Sequence, residues 1–444
     1  MRYWLAMKKM KTDALTTRKI AKFWAPLAAT WLMMATEGPF IAAIIARLPE
    51  PKFNLAAYGV AFSFALIVES PIIMIMTAST ALVKDRHSFQ KLFRYTLFLN
   101  TSITLLMLIS LTPGIFNFVT EVLIGLPPHI AKLTRTAALL LIPWPAAIGF
   151  RRFYQGILIT HGKTRRIAFA TVFRLVSMAV TATLLFEEHR LSGAAVGAIS
   201  LSTGVVLESF VIRFMAAPYI HKLRKTHPVS THPTLNYRFI SVFYYPLAIT
   251  SILALGVQPL VTFFMGHSRF PVESLAVLPV VTSLVFVFRS MGLSFQEVAI
   301  ALMGENREGY RCLKRFTTIL ALATSFLLGI IAFTPASHVW FRQISGLSAE
   351  LANFAILPTR ILVLMPALSV LISWQRANLV HVRQTAPITW ATVIEISVIV
   401  LILFISIRYL NVPGVVAAAS AFLIGRLAGN AWLAAPRNRA ADLN

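Results

Sequence analysis

The sequence predicts an all-α polytopic membrane protein, with twelve transmembrane helices in two pseudo-symmetric six-helix lobes. Three observations carry that prediction. Of 444 residues, 57% are hydrophobic and 13% charged, about half the charged share of a soluble domain. Lys and Arg gather in alternate connections between the apolar runs. The second half of the chain repeats landmarks of the first.

Twelve apolar runs fall at roughly 22–46, 55–82, 92–116, 133–158, 166–186, 193–217, 236–265, 273–300, 314–336, 352–376, 385–407 and 413–435. Each is long enough for a hydrocarbon core of about 30 Å. The basic N-terminus (Lys8, Lys9, Lys11, Arg18, Lys19, Lys22) leads into a full-length run with no small-residue cleavage site, so it reads as a retained first span. One set of connections carries Lys84, Arg86, Lys91, Arg94, then Lys163, Arg165, Arg166, then Lys222, Arg224, Lys225, Arg238, then Arg307, Arg311, Lys314, Arg315, then Arg383, Arg437 and Arg439. The other set carries Arg47, Lys52, Lys132, Arg135, Arg190, Arg269, Arg342 and Arg408. By the positive-inside rule the first set is cytoplasmic, with both termini, in a multi-pass cell-membrane protein (the inner membrane of a Gram-negative bacterium). The net charge of +25 is then a topology signal and an attraction to anionic lipid, and excludes a nucleic-acid partner.

The longest polar connection, 218–235, separates the expected N-lobe, 1–217, from the expected C-lobe, 236–444. FWAPLAAT at 23–30 falls on FYYPLAIT at 243–250, and Pro39 falls on Pro259 in the same register. Leu55-Ala56 falls on Leu275-Ala276, and Ser70 on Ser290. One residue further out of step, Ala170-Thr171-Val172 falls on Ala391-Thr392-Val393, and Gly193 on Gly414. Six spans per half give both halves one orientation, a parallel repeat about an axis along the membrane normal.

The repeat organises the charges inside the apolar runs. GVAFSFALIVESPIIMIM, 59–76, holds Glu69, a costly residue at a span centre. Glu69 superposes on Arg289, and Arg174 on Glu395. Glu69 then meets Arg174 within its half, or Arg289 across the repeat; Arg289 and Glu395 form the equivalent pair in the second half. Glu37, Arg360 and Arg426 are also deep in their runs, as candidates for lining the substrate path. The expected substrate- or ion-binding set is therefore Glu37, Glu69, Arg174, Arg289, Arg360, Glu395 and Arg426. Arg151, Arg152 and Arg213 sit nearer run ends, where snorkelling is expected, and Glu208 with Arg213 reads as a local pair. Glu297 is expected near the inner interface. Arginine outnumbers glutamate among the deep positions, which suits an anionic or zwitterionic substrate.

Prolines recur inside the runs, with Pro26 and Pro246, and Pro39 and Pro259, matched between halves. They serve curved packing or hinges. No P-loop, HExxH or GxSxG is present. One cysteine, Cys312, leaves no disulfide framework or cysteine metal site, and most of the ten histidines lie in connections. No catalytic residue, metal or cofactor is expected, and the protein is not read as an enzyme.

Three segments carry a family resemblance: LAAYGVAFSFALIVESPIIMIMTASTALVKD (55–85), RRFYQGILITHGKTRRIAFATVFRL (151–175) and ILPTRILVLMPAL (356–368). They resemble the progressive ankylosis (ANK) family of the multidrug/oligosaccharidyl-lipid/polysaccharide (MOP) superfamily, which includes the MATE exporters. The resemblance implies a MATE-like V-shaped pair of six-helix lobes with rocker-switch alternating access. It implies export of small anions, with pyrophosphate, ATP and citrate as candidates. Carried over, Glu37 in TEGPFIAAI resembles the acidic position of the family's first span, and Arg360 in PTRIL the arginine of its tenth. The long C-terminal tail of the animal proteins has no counterpart here. The first-span aspartate of archaeal-type MATE proteins has only Glu37, in a different context.

The expected function is a secondary active exporter of a small organic or phosphate-bearing anion, a monomer in the bilayer coupled to H+ or Na+. The alternatives are a MATE-type multidrug/cation antiporter, which asks for a carboxylate-rich cavity, and a lipid-linked precursor flippase, which asks for a larger basic one. A non-transporting scaffold gives no reason for mid-membrane charges in both halves.

Overall fold

Proline decides where several of these helices start and break. A computed structural model describes residues 15–188, 190–225, 236–304, 307–381 and 386–435. Among them are twelve helices long and apolar enough to cross a membrane. They are Thr17–Ala46 (span 1), Pro51–Glu69 (opening span 2), Arg86–Ser110 (span 3), Pro128–Thr160 (span 4), Thr164–Glu188 (span 5), Gly193–Leu223 (span 6), Tyr237–Gly266 (span 7), Pro271–Leu302 (span 8), Tyr310–Phe333 (span 9), Ala349–His381 (span 10), Ala386–Arg408 (span 11) and Gly414–Ala434 (span 12). The expected basic residues Lys8, Lys9, Lys11, Arg383, Arg437 and Arg439 lie outside the described residues.

Span 1 breaks at Thr36, between Thr17–Ala35 and Glu37–Ala46. Span 7 breaks at Gly256, between Tyr237–Leu255 and Val257–Gly266. The matched prolines Pro39 and Pro259 explain both. A proline ring clashes with the carbonyl four residues back, here Ala35 and Leu255, the last residues of the first segments. Span 2 stops at Glu69 and resumes as Ile75–Leu82. Pro71 offers no N–H, and Ile72 and Ile75 instead donate to the carbonyls three residues back, Glu69 and Ile72, at 2.9 and 3.0 Å.

Two boundaries differ from hydropathy. Span 3 begins at Arg86, not near 92, because the Asp85 carboxylate accepts from the Ser88 amide and the Ser88 hydroxyl closes a reciprocal capping box. Burial works to raise the Asp85 carboxyl, but the Ser88 and His87 amides and the Ser88 hydroxyl outweigh it and hold it below its ordinary range. Span 6 continues as helix from Gly193 to Lys225, through Pro218. The expected linker at 218–235 is thus helical in its first part, and 226–235 lies outside the described residues.

The repeat is visible in the backbone. Glu50 and Phe270 take φ of 51° and 55° just before Pro51 and Pro271. Single π-helical turns occupy Phe118–Leu123 and Val339–Ile344. Each is followed by a glycine with positive φ, Gly125 and Gly346.

Packing groups the chain into two units, Ile44–Gly266 and Met1–Ala43 with His267–Asn444. Expected lobes in sequence order differ from this grouping by one span each way. Span 7 packs with spans 2–6, and most of span 1 with spans 8–12. An equivalent contact supports each exchange. In the first unit the Tyr244 hydroxyl donates to the Pro71 carbonyl at the break in span 2. In the second, Trp24 Nε1 donates to the Met291 carbonyl at 3.2 Å and Ser294 Oγ at 2.8 Å, at the end of the long segment of span 8. Tyr244 and Trp24 are repeat partners, as are Pro71 and Met291. Around these aromatic residues lie apolar cores, with Phe153, Tyr154 and Ile212 in one unit and Ile20, Phe295 and Trp374 in the other.

Candidate functional site

Each unit buries one cluster of opposed charges. In Ile44–Gly266 the centre is Glu208 of span 6, fully buried. Arg151 of span 4 donates through Nη1 to Glu208 Oε2, and Arg174 Nε of span 5 lies 3.5 Å from the same oxygen. Glu69 is 4% exposed. Its Oε2 has no hydrogen-bond partner among the described residues. The cations acting on it are, in order, Arg152, Arg151 and Arg174. Arg152 also places Nη1 3.8 Å from Met76 Sδ. Three guanidinium groups thus face two carboxylates. Local backbone explains the spot: Glu69 ends a helix segment that Pro71 cannot continue, and Gly149 and Gly156, two turns apart on span 4, bring that helix against span 2. A Cβ on Gly156 would stand 2.8 Å from the Met76 carbonyl and 2.6 Å from Ser79 Cβ.

In the other unit the centre is Glu395 of span 11. Arg426 of span 12 reaches its Oε1 with Nη2 at 2.9 Å. Arg289 of span 8 donates through Nε to Ser369 Oγ of span 10 at 3.0 Å. Arg376, two turns beyond Ser369 on span 10, donates to Thr392 Oγ1, one turn before Glu395, at 3.4 Å. The charges acting on both Arg289 and Arg376 are Arg426 and Glu395. Three guanidinium groups face one carboxylate.

The structure therefore brings Glu69 and Arg174 into one cluster, and Arg289, Glu395 and Arg426 into the other. The closest cation contacts differ from the expected pairs: Glu208 takes Arg174, and Arg426 takes Glu395. Arg151 is not snorkelling. It lies buried on Glu208, because the span 4 helix continues to Thr160, leaving Arg151 well inside it. Arg213 is exposed, over the Tyr154 ring at 5.3 Å, and Glu208 pairs with Arg151 and Arg174 rather than with it. Arg360 is exposed; its Nε donates to the Ala332 carbonyl at 3.1 Å and its guanidinium covers Phe333 at 5.6 Å. Glu37 stands partly buried in the first turn after the span 1 break. Sequence reasoning missed Arg151, Arg152, Glu208 and Arg376 as site residues. All four interrupt apolar runs, but Arg151, Arg152 and Arg376 lie toward run ends set by hydropathy, and Glu208 was read as a local partner of Arg213.

No family model and no curated protein matches the chain. Solved structures do. An inward-facing multidrug resistance MATE family transporter of the MOP superfamily superposes with a TM-score of 0.73 at 14% identity, covering 93% of this chain and 95% of that one. The lipid II flippase MurJ, in an inward closed conformation, gives 0.69 at 14% identity, over 92% and 86%. A MOP superfamily transporter from Pyrococcus furiosus, described as having a binding pocket of reverse polarity, gives 0.57 at 17% identity, over 96% and 94%. Identities this low speak for the fold alone, and the fold of this chain is the twelve-helix, MATE-like fold of the MOP superfamily transporters.

Proposed function

We propose that the protein is a secondary active transporter that exports a small organic or phosphate-bearing anion by alternating access. The observation that carries this reading is the arginine excess in both buried clusters, three against two and three against one. Guanidinium groups cannot shed their charge at cellular pH, and their planar fork suits carboxylate and phosphate. An antiporter of organic cations needs the opposite balance. The ANK resemblance points to the same substrate class. Glu69, a buried carboxylate with one oxygen free of hydrogen bonds, is our candidate for coupling to H+ or Na+. Both termini are taken as cytoplasmic and the working form as a monomer.

Purified protein in proteoliposomes tests the reading. Radiolabelled citrate and pyrophosphate, loaded inside or out, are expected to cross down an imposed ion gradient, and Arg289→Gln to reduce the rate at least tenfold. Transport of tetraphenylphosphonium with neither anion moving would overturn it. The structural likeness to a lipid II flippase favours one second reading, in which the same arginines hold the diphosphate of a lipid-linked precursor. Translocation of a fluorescent polyprenyl diphosphate, with citrate and pyrophosphate inert, would select it.

A further inference from the structure

The second cluster carries more charge than it balances. Arg289, Arg376 and Arg426 share the single carboxylate of Glu395, leaving two positive charges in excess. Glu395 and Arg426 each expose 12% of the side chain, and Arg289 and Arg376 are partly buried. Among the described residues, Glu395 is the carboxylate that acts on Arg289 and Arg376. Arg426 is adverse to both, since like charges drawn out of water repel strongly. Arginine has no neutral form to retreat to. The donors are also underused. Among the described residues, Arg376 Nε and Arg426 Nε are buried without an acceptor, and each guanidinium has five N–H groups against the few bonds described above. Hydroxyl partners, Ser369 and Thr392, fix the directions of Arg289 and Arg376 without neutralising them.

We infer that the unit comprising Met1–Ala43 and His267–Asn444 holds a compact inorganic anion among Arg289, Arg376 and Arg426, as the counter-charge Glu395 alone does not supply. This shares the arginines of the transport reading without resting on transport: the inorganic ion fills the excess charge while no cargo is bound. It accepts from the spare guanidinium N–H groups, and it relieves the repulsion that Arg426 exerts on the other two. Chloride and phosphate share the chemistry required, and the fork geometry favours the oxyanion.

Equilibrium dialysis of the detergent-purified protein, held in gluconate at constant ionic strength, tests this with radiolabelled chloride and with radiolabelled phosphate. Saturable binding of about one anion per chain is expected, as for a single built site. Arg376→Gln should weaken it at least tenfold and Glu395→Gln should tighten it, while Arg213→Gln, at an exposed arginine of the other unit, should leave it unchanged. Where Arg376→Gln does not fold, Arg289→Gln is read in its place. Tighter phosphate than chloride assigns an oxyanion site, and the reverse a halide site. Non-saturable uptake by the unsubstituted protein, or equal affinity in Arg376→Gln and Arg289→Gln, would overturn the inference. Anion binding without transport leaves the inference standing and the proposed function failed; transport without binding does the reverse.

Discussion

Glu208 shows what a single buried side chain commits the fold to. It has no exposed surface and takes two arginines from two other spans. Removing one partner of a buried pair leaves the other uncompensated, typically at about 3–5 kcal/mol, whereas removing both is often far milder. Glu208→Gln is therefore expected to lower the thermal unfolding midpoint clearly, and Arg151→Gln to do the same. The double substitution should recover part of the loss, because residues in contact couple and distant ones add. Additive losses in that cycle would mean Arg151 and Glu208 do not depend on each other. Glu69 behaves differently. Its charge is felt by three arginines, yet its Oε2 has no hydrogen-bond partner among the described residues, so Glu69→Gln should affect transport more than stability.

At the scale of elements, broken helices matter more than intact ones. Spans 1 and 7 break at repeat-related positions because Pro39 and Pro259 do, and an aromatic residue of each reaches a carbonyl where a partner helix breaks. Breaking a helix strips carbonyls of their N–H partners, and buried carbonyls must be satisfied elsewhere. The Tyr244 hydroxyl and the Ser251 hydroxyl do this for Pro71 and Ser70, as Trp24 does for Met291. Tyr244→Phe keeps the ring and deletes the donor; Trp24→Phe deletes the donor and trims the indole to a phenyl ring. Each should cost about 1–3 kcal/mol, the penalty of a buried acceptor left unmade, read as a lower unfolding midpoint in detergent. If the exchange of spans 1 and 7 depends on these contacts, both substitutions will lower the midpoint, Trp24→Phe by more because it also loses ring volume. A midpoint unmoved by either substitution would show that apolar packing alone secures the exchange.

For the whole molecule, the charge asymmetry of the connections predicts an orientation. In a chain with Cys312→Ser, Pro228→Cys is expected to react with an impermeant maleimide only after the membrane is opened. Tyr409→Cys, 72% exposed beyond span 11, should react in intact cells. The opposite pattern would invert the topology while leaving the twelve-span fold intact.

The number of spans, the parallel repeat and the arginine excess were all legible in the amino-acid order, because each depends on composition within a window or on a fixed offset along the chain. Pro39 and Pro259 even announced where two helices break. Partnership was not legible. Which arginine reaches Glu69, Glu208 or Glu395 depends on depth, on the angular position of each side chain around its helix, and on which helices touch. Glu208 has no charged counterpart in the repeat, since Ala428 and Gly429 stand there, so superposing the halves could not reveal it. Arg376 lay at a run end by hydropathy, yet its helix runs on to His381, which carries it inside. The exchange of spans 1 and 7 is equally invisible along the chain: every span is apolar enough to pack against any other. Only shape, and the few polar contacts that must be made inside it, chose the partners.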